Sequence, residues 1–133
     1  MAITRLIGTC FVAVVLAAVG CGGSDETSDK DAVADVMSSL DQASRDGDGA
    51  RICSELFTPK LANSVKSSAD SNDCATEVKA KLFSPDAKIT VDDISVPDDV
   101  NAIALVKEGN GNTSRVFLVK QGGEWRIRSV VPA

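Results

Sequence analysis

The chain of 133 residues holds four cysteines, Cys10, Cys21, Cys53 and Cys74, and neither histidine nor tyrosine. Those absences exclude whole classes of chemistry. Without histidine there is no Ser-His-Asp or Cys-His nucleophile system, no imidazole acid or base, and no imidazole metal ligand. Cys53 and Cys74 alone are too few for a thiolate-only zinc site. Carboxylates remain. Asp92-Asp93 and Asp98-Asp99 flank ISVP, and DGDG at 46–49 looks superficially like a calcium loop. Hard cations take such oxygen ligands, but neither stretch has helix–loop–helix calcium spacing. Solvated turn acids and helix caps explain both. No metal and no cofactor is expected.

Cys21 ends an apolar stretch. Leu6 to Val19 is interrupted only by Gly8 and Thr9, and Arg5 is the only charge among the first twenty residues. A membrane span needs roughly twenty apolar residues, so this block is short. A positive start, a brief apolar run and small residues before a cleavage point describe a secretory signal peptide. The segment has no polar face at any period, which argues against a core helix.

Ala18, Val19 and Gly20 before Cys21 resemble a bacterial lipobox. That resemblance implies diacylglycerol on the Cys21 thiol and cleavage of the bond before it. Position 18 is Ala where Leu is commonest in such motifs. Ala18 and Gly20 also suit ordinary signal cleavage, and the two readings differ in whether Cys21 carries lipid. Cysteine arithmetic favours lipid. Cys10 leaves with the signal, and lipid on Cys21 leaves Cys53 and Cys74 to pair. Without lipid, an exported chain would keep an odd thiol. Export makes a Cys53–Cys74 disulfide the default over two buried thiols.

These features divide the chain into a signal at 1–20, a lipidated tether at 21–30 and a domain at 31–133. GGSDETSDK, residues 22–30, carries no apolar residue and reads as a flexible coil spanning roughly 17 Å. The domain is thus expected near the outer surface of the cell membrane. Cleavage changes the net charge from −5 to −6, because only Arg5 is lost. An acidic domain suits nucleic-acid phosphates poorly, so no nucleic-acid partner is expected.

The domain reads in two halves. Ala32, Val33, Val36, Met37, Leu40 and Ala43 repeat at helical spacing, with Ser28 and Asp31 as a capping pair and Gly47 and Gly49 as the stop. Ile52, Cys53, Leu56 and Phe57 share one side of a short second helix. Thr58-Pro59 opens a third, with Leu61 and Val65 inward. Cys74, Val78 and Leu82 mark a fourth, ended by Ser84-Pro85. Beyond Pro85 the period becomes two, in the runs KITVDDISV, VNAIALVK, SRVFLVK and EWRIRSVV.

Asn110-Gly111 and Gly122-Gly123 read as two-residue hairpin turns. They predict that Leu105 faces Val116, Ile103 and Ile127 both face Leu118, and Trp125 faces Lys120. Ile103, Leu105, Val116, Leu118, Trp125 and Ile127 then meet the helices. Ala102, Ala104, Val106, Arg115, Phe117, Val119, Arg126 and Arg128 fall on the outer face. In the first strand, inward parity switches between Val91 and Ile94, which predicts a bulge near Asp92-Asp93. Arg115, Phe117, Arg126 and Arg128 form a basic, partly aromatic stripe, the candidate interaction face.

Helices followed by an antiparallel meander define an α+β fold. The order of elements, with GDGARICSELFTPKLANSV after the first helix and VFLVKQGGEWRIRSV near the end, resembles the cone-shaped nuclear-transport-factor-2-like superfamily over about residues 29–132. The likeness is to its small exported actinobacterial lipoproteins. It implies a curved four-stranded sheet wrapped on helices around a conical pocket. Enzymes of that superfamily place His, Asp or Tyr in the pocket. This chain lacks His and Tyr, so the catalytic role does not carry over.

The expected function is a non-catalytic, membrane-anchored module. It binds a small apolar ligand, a second copy of itself or an envelope protein. One alternative is an isomerase or hydrolase using carboxylates alone, which needs a buried Asp or Glu in the cone. Another is a purely structural envelope protein with no pocket.

Overall fold

The computed structural model describes residues 26–82 and 88–133. The signal segment, Cys21, the tether as far as residue 25 and Ser84-Pro85 lie outside them. Helix α1, Glu26–Arg45, buries Val33, Met37, Leu40 and Ala43 along one stripe, as the helical spacing predicts. It starts earlier than Ser28, so residues 26–30 of the expected coil are helical. The reason is packing: Asp29, one turn before Val33 on the same stripe, is also buried.

Gly47 adopts φ +65° and ends α1. Asp48 N–H bonds back to Ala43 O at 2.8 Å, and Gly47 N–H to Ser44 O at 3.1 Å, the paired bonds of a Schellman stop. Helix α2, Gly49–Arg51, runs on as a π-helical turn, Ile52–Leu56. Helix α3, Pro59–Ser68, is capped by Thr58, whose hydroxyl accepts from Leu61 N–H. Helix α4, Cys74–Glu77, is capped by Asp73 and also runs on as a π-helical turn, Val78–Leu82. Cys53 and Cys74 are joined by a disulfide.

Strands β1 (Thr90–Asp98), β2 (Asn101–Lys107), β3 (Thr113–Gln121) and β4 (Glu124–Pro132) form an antiparallel sheet in the order β1-β2-β3-β4. Beyond β4, Thr58 N–H donates to Ile127 O at 2.8 Å, and Phe57 bridges Ile127 in parallel. Gly122 and Gly123, both at positive φ, make the expected two-residue turn. Leu118 therefore faces Ile127 and Lys120 faces Trp125, as predicted. The bulge in β1 also falls where parity indicated: Val91 faces Val106, Asp93 faces Leu105, and Asp92 is the extra residue.

The β2–β3 register differs from expectation by one residue. Lys107 faces Thr113, and Glu108 N–H bonds to Asn112 O at 2.8 Å. The loop is therefore Gly109-Asn110-Gly111, with Gly111 at φ +88° and Asn110 Oδ1 accepting from Asn112 N–H. One added loop residue turns the whole of β2 over. Ala102, Ala104 and Val106, expected outside, are buried at 1%, 0% and 4% exposure. Ile103 and Leu105, expected inside, lie half-buried on the outer face. The core takes its bulk from Met37, Leu40, Ile52, Phe57, Leu118 and Ile127.

Candidate functional site

Of the four residues of the predicted interaction stripe, Arg126 parts from the other three. Arg115 and Phe117 lie on the outer sheet face, and the Arg128 guanidinium carbon is 5.9 Å from the Phe117 ring centroid. Arg128 is the extra residue of a bulge, because Phe117 faces Ser129 while Leu118 faces Ile127. The true outer face holds Ile103, Leu105, Phe117 and Val119, with Val131 at 38% exposure. It is more apolar than the predicted one, since Ile103 and Leu105 replace two alanines and a valine.

Arg126 leaves this face and turns over β4 to the helices. Its Nη1 donates to Ser54 O at 3.1 Å and Phe57 O at 3.4 Å. The local sequence explains the need. Phe57 N–H reaches back to Ile52 O in the π-helical turn, Thr58 N–H is taken by Ile127 O, and Pro59 has no N–H. Ser54 O thus lacks a helical partner, and Arg126 supplies one.

Between α1, the turn Ile52–Leu56 and β4 lies an open cleft of about 500 Å³. Ala32, Val36, Leu56 and Trp125 give it apolar walls, and Arg51 and Arg126 stand at it. Arg51 Nε is 3.3 Å from Glu55 Oε2, and Arg126 Nη2 is 3.4 Å from Glu124 Oε2. No spacing signal reveals this cleft, because it forms only where three distant segments meet.

Sequence reasoning also missed a buried carboxylate. Asp29 is 6% exposed. Its Oδ1 accepts from Lys120 Nζ at 2.8 Å and Trp125 Nε1 at 3.2 Å. The Lys120 hydrogen bond holds its pKa below the ordinary value. Burial pushes the other way, and the indole bond and the ammonium charge add to the lowering. The available signal was the α1 stripe itself, which continues four residues back from Val33 to Asp29. Two of the acids considered for cation binding have structural partners. Asp98 Oδ1 accepts from Val100 N–H at 2.9 Å and Asn101 N–H at 2.8 Å, and Asp48 caps α2. No helix among the described residues is long and apolar enough to cross a membrane.

No family model and no curated protein matches the chain. Among solved structures, it is similar to a nuclear-transport-factor-2-like protein of unknown function from Shewanella baltica OS155. The TM-score is 0.60 and the identity 17%, over 84% of this chain and 97% of that one. Among the described residues, four helices on a curved four-stranded antiparallel sheet thus make a nuclear-transport-factor-2-like α+β fold.

Proposed function

We propose that this chain is a non-catalytic interaction module, exported, held at the outer side of the cell membrane by lipid on Cys21, and paired with a second copy through its outer sheet face. The observation that carries the pairing is the apolar row of Ile103, Leu105, Phe117 and Val119, half-buried among the described residues, with the exposed Val131 beside it. Its surroundings are self-complementary. Asp93 faces Leu105 at the β1 side, and Arg115 and Arg128 stand at the β3–β4 side. A two-fold axis along the strands would lay β1 of one copy over β4 of the other and bring Asp93 towards the arginines, an isologous contact.

A non-catalytic role is supported by the state of the buried acid. Asp29 is held ionised by Lys120 and Trp125, so it is a weak base and a poor proton donor at neutral pH. Anchoring rests on the resemblance of residues 18–21 to a lipobox. The described part of helix α1 begins at Glu26, five residues after Cys21, and five residues reach at most about 18 Å, which would keep the domain against the bilayer.

Fractionation with intact mass, followed by sedimentation, tests both parts. Wild type should carry lipid mass and stay with membranes, and Cys21→Ser should not. The Cys21→Ser protein should dimerise at micromolar concentration, and adding Leu105→Glu and Phe117→Glu should give a folded monomer. A lipid-free wild type defeats the anchor. A monomeric parent, or an undisturbed dimer in the variant, defeats the interface.

A further inference from the structure

We propose that the cleft between α1, the turn Ile52–Leu56 and β4 binds an amphipathic anion, a carboxylate or phosphate head joined to an alkyl body. This site is separate from the outer sheet face, and the inference does not depend on pairing or anchoring.

Its volume, about 500 Å³, falls in the range of small-molecule sites. The interior of the cone is packed with Met37, Leu40, Phe57, Leu118 and Ile127, so the ligand site lies at its rim. The walls have two characters. Val36, Leu56 and the Trp125 ring form an apolar side suited to an alkyl chain. Arg51 provides the polar side. Its Nε bonds Glu55, while its two Nη groups have no hydrogen-bond partner among the described residues. They leave a planar fork for a carboxylate or phosphate.

The two cations at the cleft differ in readiness. Arg126 is committed to the carbonyls of Ser54 and Phe57 and is a fixed positive boundary. Arg51 is restrained by one exposed pair, since the Glu55 side chain is 65% exposed. Such a pair contributes little, so Glu55 can swing into solvent when an anion arrives. Glu124 is likewise exposed, at 73%. A neutral amphiphile would gain the apolar wall and leave the fork unfilled. A small hydrophilic anion would gain the fork and leave the wall in water.

Trp125 is the only tryptophan in the chain and lines the cleft, so its fluorescence reports occupancy. The purified protein should be titrated with dodecyl phosphate and laurate below their micellar concentrations. Dodecyl maltoside, inorganic phosphate and phosphatidylglycerol vesicles are run in parallel. One saturable site for each single-chain anion is expected, with much weaker binding of the maltoside and of phosphate. Arg51→Gln and Arg51→Lys, both folded by thermal melting, should weaken anion binding by about tenfold or more and leave the maltoside unchanged. The proposal is overturned by unsaturable or absent binding of both anions, or by equal affinity for the maltoside. Unchanged affinity in both Arg51 variants, or binding confined to vesicles, also overturns it.

Discussion

Lys120 Nζ stands 2.8 Å from Asp29 Oδ1 and joins residues 91 positions apart. Lys120 also lies over Trp125, 5.5 Å from the ring centroid, and the same indole donates to the same carboxylate oxygen. The first turns of α1 are thereby fastened to the sheet where the β3–β4 hairpin turns.

This contact should make stability depend on acid. The Asp29 pKa is lower folded than unfolded, chiefly through the Lys120 hydrogen bond. Between the two values the unfolded chain binds the proton and the folded chain does not, so stability rises with pH. The contribution is complete above the unfolded value, about 3.9, and is lost as pH falls through the folded one. Asp29→Asn should be less stable than wild type at pH 7; the difference should begin to shrink near the unfolded value, about 3.9, and close as pH falls through the lower folded one. Urea midpoints from pH 7 to pH 2 would show it. A constant difference across that range would assign the effect to packing.

Gly49 packs where no side chain fits. A Cβ there would lie 2.3 Å from Ala75 O and 2.9 Å from its carbonyl carbon. Gly49→Ala must therefore push α2 away from α4, at a cost of about 3 kcal/mol, the upper end for overpacking. The Cys53–Cys74 bridge joins the same two regions, so the variant should also form its disulfide more slowly on refolding. Urea unfolding and timed alkylation measure the two effects.

Arg126 and Arg115 should behave differently although both lie on the sheet. Arg126→Ala leaves Ser54 O and Phe57 O without their guanidinium donor, a loss of about 1–2 kcal/mol. Arg115 is exposed, and Arg115→Ala should stay within about 0.5 kcal/mol of wild type. Equal melting temperatures for the two variants would show that Arg126 contributes nothing as a cap.

Much of the architecture is legible in the residues, and the failures have local causes. Gly122-Gly123 permits positive φ at both turn positions, so β3 and β4 align as read. Asn110-Gly111 carries the same signal, but Gly109 precedes it and Asn110 turns back on Asn112, which favours a longer loop. That single residue exchanges Ala104 for Leu105 in the core. The bulge at Arg128 leaves no mark on the alternation near Phe117, whereas the one at Asp92 does, because Val91 and Ile94 are both apolar. The cleft depends on how α1 settles against β4, and no spacing along the chain encodes that.

The bond from Thr58 N–H to Ile127 O has a consequence for how copies can meet. It places the Phe57-Thr58 segment beside β4, where another chain would otherwise add a strand. At the opposite border, β1 is interrupted at Asp92 and again between Ser95 and Asp98, where Pro97 offers no N–H. Neither border is a regular ladder for strand addition, a protection against edge-to-edge aggregation. Contact through the strand edges is thereby disfavoured, and the pairing proposed above would have to run through side-chain surfaces.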